Sequence, residues 1–111
     1  MQVKDIIKIL GLKVFGESQG LDREITGGYT SDLLSDVMGH ADSGKIWITL
    51  QTHKNVIAIA SLKELAAVIL IKGSEPDADM LAQAEEEGIP VLGTKEQAFE
   101  TTGKLFNLLS H

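Results

Sequence analysis

Apolar residues recur along this chain with two different spacings, and the alternation between them becomes regular after about residue 45. Val3, Ile6, Ile7 and Leu10 lie three and four apart, which predicts a short amphipathic helix, and Gly11 stands where such a helix would close. Lys13 to Phe15 reads as a short strand and Gly16 to Gly20 as a loop. Ile25 to Tyr29 reads as a second strand, weakened by the pair Gly27 and Gly28. Ser31 has the chemistry of a helix N-cap, with Asp32 favourable in the first turn. Leu33, Leu34, Val37 and Met38 then recur with helical spacing up to Gly39.

The second half alternates strand and helix. Ile46 to Leu50 is an apolar run holding the only tryptophan, and Thr52 or His53 opens a helix to about Ser61 that is apolar on most sides. Ala67 to Ile71 is a continuous apolar strand; Gly73, Ser74 and Pro76 turn into a helix from Asp77 to Glu87, closed by Gly88. Ile89 to Leu92 is a further strand, and Thr94 with Gln97 has capping-box spacing before a final helix to about Leu109. Unbroken apolar strands alternating with helices imply a mainly parallel sheet covered on both faces. The expected fold is therefore an α/β domain of three layers, α/β/α, with residues 1–111 as one domain.

In an open parallel sheet, ligands sit beyond the carboxyl ends of the strands, where helix N-termini offer free N–H groups. Three loops fall there: Gln51, Thr52, His53, Lys54 and Asn55; Lys72, Gly73, Ser74 and Glu75; and Gly93, Thr94 and Lys95. Glycines allow close backbone approach, hydroxyls donate hydrogen bonds and lysines attract phosphate. The structural alternative is that Thr52, Ser74 and Thr94 cap helices while Gly73 and Gly93 supply turn geometry, and capping alone would account for these residues. No loop carries GxxxxGK[ST] or GxGxxG.

The glycine pair has two readings: close approach of a ligand or another chain, or a bulge in the strand. Tyr29 could stack on a ligand base or sit half-buried with its hydroxyl satisfied. His53 is the best placed of three histidines for a phosphate contact, proton transfer or phosphoacceptance, although a helix-start histidine needs no such role. Asp32 and Asp36 share a helix face, which a solvated surface explains as well as a metal would. No triad order, nucleophile elbow or zinc motif occurs, so no catalytic residue, metal ligand or cofactor is expected.

Composition narrows the partners. A formal net charge of -6 disfavours nucleic acid and anionic membrane surfaces. The absence of cysteine removes disulfides and thiolate sites and suits a reducing compartment. No apolar run approaches membrane-helix length and the N-terminus does not read as a signal peptide, so a cytoplasmic chain is expected.

The stretch Ile25-Thr26-Gly27-Gly28-Tyr29-Thr30-Ser31-Asp32-Leu33-Leu34-Ser35-Asp36-Val37-Met38 resembles the DRTGG domain. So do Gly44 to Val56, Ala66 to Ile71 followed by Gly73, and Gly88-Ile89-Pro90-Val91-Leu92. Thr26-Gly27-Gly28 match the signature, Glu24 and Ile25 replace its Asp and Arg, and Asp22-Arg23 lies out of register. The family occurs beside CBS pairs and in phosphotransacetylase-type proteins, and is similar to the N-terminal domain of HPr kinase/phosphorylase. The resemblance thus implies a non-catalytic regulatory module, a homodimer with unknown protein partners, and a nucleotide or other phosphorylated ligand held by Gly27, Gly28, Tyr29 and Ser31 with Thr52 and His53. The alternative is a protein-interaction or dimerisation domain with no small-molecule ligand.

Overall fold

The computed structural model describes residues 1–16 and 19–110. Helix α1 (Val3–Leu10) buries Val3 and Ile6 and ends on Gly11 in the left-handed region (φ 63°), as its spacing predicts. The Asp5 carboxylate accepts the Gln2 N–H at 2.8 Å, fastening the first turn. Strands β1 (Lys13–Phe15) and β2 (Gly27–Thr30) follow, then α2 (Leu34–His40), β3 (Lys45–Thr49) and α3 (Asn55–Leu62). The chain continues through β4 (Ala67–Leu70), α4 (Ala78–Glu87), β5 (Val91–Gly93) and α5 (Ala98–Leu109). Part of the expected loop from Gly16 to Gly20, and His111, lie outside the described residues.

The sheet order is β1-β5-β4-β3-β2. Strands β2 to β5 are parallel, and β1 joins β5 antiparallel with Val14 opposite Leu92. Four parallel strands laid side by side in chain order need crossovers of one hand, so α2, α3 and α4 share one face. There Val37, Trp47, Val56, Ile57, Ala60, Val68, Leu70 and Met80 form one buried cluster. On the other face α1 and α5 enclose Val3, Ile6, Ile46, Ile48, Ala67, Ile69, Leu92 and Leu105. Two apolar layers on one sheet explain why β4 is buried at every position and reads as a continuous apolar run. The expectation of three layers around a mainly parallel sheet holds, with β1–β5 as the antiparallel pair.

Several helix starts differ from expectation. α2 begins at Leu34 rather than beside Ser31, because the Ser31 hydroxyl accepts the Leu33 N–H (3.1 Å) and forms a turn one step earlier. α3 begins at Asn55, not at Thr52 or His53, and α5 begins at Ala98. The Thr94 hydroxyl accepts the Glu96 N–H at 3.2 Å, again a local turn rather than the capping box. None of α2, α3, α4 and α5 has a side-chain hydrogen bond at its N-cap. Gly39 does not end α2, which runs on to His40. No bulge accompanies the glycine pair: Gly27 and Gly28 pair in unbroken parallel register with Lys45 and Ile46.

Candidate functional site

The structure divides the sequence-predicted site residues among three places. Gly27 and Gly28 lie at the amino end of β2, whereas Thr52 and His53 lie beyond the carboxyl end of β3. The length of a strand, roughly 10 Å, separates them, so the proposed cluster of both sets does not assemble. Gly28 has an internal reason to lack a side chain, since a Cβ there would stand 3.0 Å from Leu105 Cδ2 on α5. Tyr29 turns to the opposite face, joins the core cluster under α2, and donates its hydroxyl to Asp36 Oδ1 at 2.9 Å. Hydrogen bonds from Ser31 and Tyr29, aided by His40, hold the Asp36 carboxyl below its ordinary range. Burial, then the neighbouring Asp36, pushes the Tyr29 phenol above its ordinary range.

Beyond β2 and β3, Ser31, Gln51 and His53 gather around the β2–α2 and β3–α3 loops, where polar groups bond one another. Asp32 Oδ1 accepts the buried Thr49 hydroxyl (2.8 Å) and the Leu50 N–H (2.7 Å). Gln51 Nε2 donates to the Asp32 carbonyl at 3.0 Å, which leaves Gln51 Oε1 facing His53 Nε2 at 2.9 Å. An amide oxygen only accepts, so His53 Nε2 donates to it, and the buried Nδ1 has no hydrogen-bond partner among the described residues. Trp47 Nε1 donates to the Ser31 carbonyl at 2.8 Å, and the Thr52 hydroxyl to Asp77 Oδ1 at 3.3 Å. Gln51 and Thr52 thereby tie one loop to another, while Ser31 is pinned to β3 and His53 to Gln51 within its own loop.

Beyond β4 and β5 the arrangement opens. Gly73, Ser74, Gly93, Thr94 and Lys95 line an open cavity of about 460 Å³ together with Leu10, Lys13 and Phe15. Two loops meet there through their backbones: Lys72 N–H donates to the Glu96 carbonyl (2.8 Å) and Gly73 N–H to the Thr94 carbonyl (2.9 Å). Lys72 and Gly73 both take positive φ, 58° and 73°, and the strain of a left-handed lysine is held by these bonds. Gly93 is required here: a Cβ on it would come within 2.6 Å of the Phe15 ring, which lies across it. Lys13 Nζ stands 4.9 Å from the Phe15 ring centroid. Glu96 is paired with Lys104, while Lys13 and Lys95 form no ion pair among the described residues.

Sequence reasoning found Gly73, Gly93 and Thr94 at this cavity but missed Lys13 and Phe15. Their signal was the strand reading at 13–15, which could not place β1 beside β5. Arg23, off the family register, donates to the Leu65 carbonyl at 3.1 Å and braces the entry to β4. Among the described residues no group of three or more His, Asp or Glu side chains gathers as a metal site. No described helix is long and apolar enough to cross a membrane.

Comparison with known proteins bears on this geometry. A solved structure of the CBS and DRTGG domains from the regulatory region of Clostridium perfringens pyrophosphatase, complexed with the activator diadenosine tetraphosphate, superposes with a TM-score of 0.67 at 15% identity. The match covers 95% of this chain and 45% of that one, so this chain spans less than half of its solved counterpart. No curated protein matches the sequence. The DRTGG domain pattern matches residues 5–108, from α1 through nearly all of α5, and takes in both strand-end regions. The chain belongs to the DRTGG domain family.

Proposed function

We propose that this chain is a non-catalytic regulatory module that binds a nucleotide or another phosphorylated ligand and acts as a homodimer. The cavity beyond β4 and β5 carries the reading. It combines two lysines with no ion pair among the described residues, two hydroxyls, glycines that let backbone approach a ligand, and the apolar wall of Phe15 and Leu10. Its volume of about 460 Å³ lies within the usual range for small-molecule sites, roughly 300–1,000 Å³. Lys13 and Lys95 would hold the phosphate, Thr94 and Ser74 would donate hydrogen bonds, and Phe15 would support an aromatic base. Glu75 at the rim disfavours a second anionic group on that side. The nucleotide activator named for the pyrophosphatase regulatory region gives the ligand class a precedent.

The test is a melting curve for the purified chain against mononucleotides, dinucleoside polyphosphates and inorganic phosphate. A ligand at 100 times its dissociation constant stabilises by about 2.7 kcal/mol. The expected result is a rise in Tm that Lys95→Ala with Thr94→Val abolishes. The competing reading, an interaction module with no small ligand, draws on the exposed apolar side chains Leu33, Leu62, Phe99 and Phe106. It gains if no ligand moves the Tm and those side chains govern assembly.

A further inference from the structure

Helix α5 shows two different stripes to solvent. Glu100, Lys104 and Asn107 form a polar one, and Lys104 closes onto Glu96. Phe99, Gly103 and Phe106 form the other, on the side facing the β2 edge, with Phe99 85% and Phe106 73% exposed. Thr102 on α5 and Thr30 on β2 share a hydroxyl contact at 2.8 Å, so helix and edge strand make one continuous surface. A hollow beside these aromatics is lined by Thr30, Ala98, Thr102, Gly103 and the two phenylalanines themselves. A second groove runs from Phe106 along β2 past Gly27 and Gly28.

We infer that this α5–β2 face is where two copies of the chain pair around a two-fold axis near Gly103. The inference rests on the homodimer part of the proposed function and is independent of its ligand. Three observations select a second copy as the occupant. First, Gly103 sits within a helix, where glycine is a poor former, yet a Cβ there would meet nothing within 4 Å in its own chain. Nothing inside the monomer calls for glycine at that point, whereas the close crossing of a second helix does. Second, the chain bears a net charge of -6 and opposes its own copy, but no charged residue lines the hollow, so like chains can meet there with least repulsion. Third, the patch supplies both a knob and a hollow on one surface. A two-fold axis seats the Phe106 of each copy in the hollow of the other, which is the self-complementarity an isologous contact requires. The two rings expose roughly 300 Å² per copy, above what isolated surface aromatics present and a sizeable start on the roughly 800 Å² per partner of a stable interface. The remainder comes from Thr30, Thr102, Ala98 and the glycine-flattened edge of β2.

The test uses the full chain. Sedimentation velocity over a range of concentrations should give a dimer, and Phe106→Glu should raise the dissociation constant at least a hundredfold while leaving the circular dichroism spectrum unchanged. Because the chain has no cysteine, Gly103→Cys offers a clean second readout. It should form a disulfide-linked dimer rapidly under mild oxidation, whereas Leu62→Cys, exposed on α3 at the opposite face, should not. A wild-type dimer that survives both Phe106→Glu and Phe99→Glu, with Gly103→Cys slow to link, would overturn this face while leaving the homodimer reading intact. A wild-type chain that stays monomeric at millimolar concentration overturns both, without touching the ligand reading.

Discussion

The two halves of the carboxyl edge of the sheet carry similar residue types and use them in opposite ways. Beyond β2 and β3, Asp32, Thr49, Gln51 and His53 bond one another in a chain of contacts between 2.7 and 3.0 Å. Beyond β4 and β5, the loops meet through backbone groups, Lys13 lies over the Phe15 ring, and Lys95 and Ser74 line the cavity with no side-chain partner among the described residues. A polar group whose partner is another side chain has already exchanged its water for protein, and a ligand must break that bond to use it. A polar group that still faces solvent gives up only water. The second half is therefore the better place for a ligand, although both halves have the residue types of a strand-end site.

The contrast can be broken by substitution. The largest effect is expected for Gly93→Val, which drives its side chain into the Phe15 ring, displaces β1 and fills the cavity. A loss of about 2–3 kcal/mol by urea unfolding, together with loss of any ligand-induced Tm shift, is the expected outcome. Next is Asp32→Ala, which strips the partner from the buried Thr49 hydroxyl and the Leu50 N–H. It should cost about 2 kcal/mol of stability and leave ligand affinity alone. Lys95→Ala reverses that pattern: stability within about 0.5 kcal/mol of the parent, and affinity for a phosphorylated ligand about tenfold weaker by calorimetry. Equal effects of Asp32→Ala and Lys95→Ala on both quantities would erase the distinction. His53→Ala should cost about 1 kcal/mol or less, with ligand affinity unchanged.

The smallest effect concerns pH. Asp36 is held below its ordinary 3.8, so its contribution to stability is present above that pH and is lost as pH falls through the lower folded-state value. Tyr29 is held above its ordinary 10.0, so its contribution is complete below that pH and is lost as pH rises through the higher folded-state value. Melting curves of Asp36→Asn should show a shallower acid limb than the parent. Unchanged limbs would mean that the Tyr29–Asp36 contact contributes nothing measurable.

Every helix and strand was legible along the chain, because each is stated locally. Val3, Ile6, Ile7 and Leu10 carry the helical period of α1, and the glycines at 11 and 88 close α1 and α4 in the left-handed region that only glycine enters freely. The apolar run at 67–70 states that β4 is covered on both faces. Helix starts were less legible. Ser31 and Thr94 have capping chemistry, but each spent it on a turn two residues ahead, a local choice that spacing alone does not distinguish from a cap.

The site was legible only as a list of residues. The sequence by itself determined the elements, the three layers and the loops that end at the carboxyl edge, since periodicity, turn residues and connection handedness are properties of neighbouring positions. Tertiary structure alone decided that β1 lies beside β5, that Phe15 crosses Gly93, and that Gly28 packs against Leu105. It also decided which hydroxyls and amides find each other across loops far apart in the chain. Those outcomes depend on distances between residues that no local pattern encodes, and a hydrogen bond forms or fails within a few tenths of an ångström.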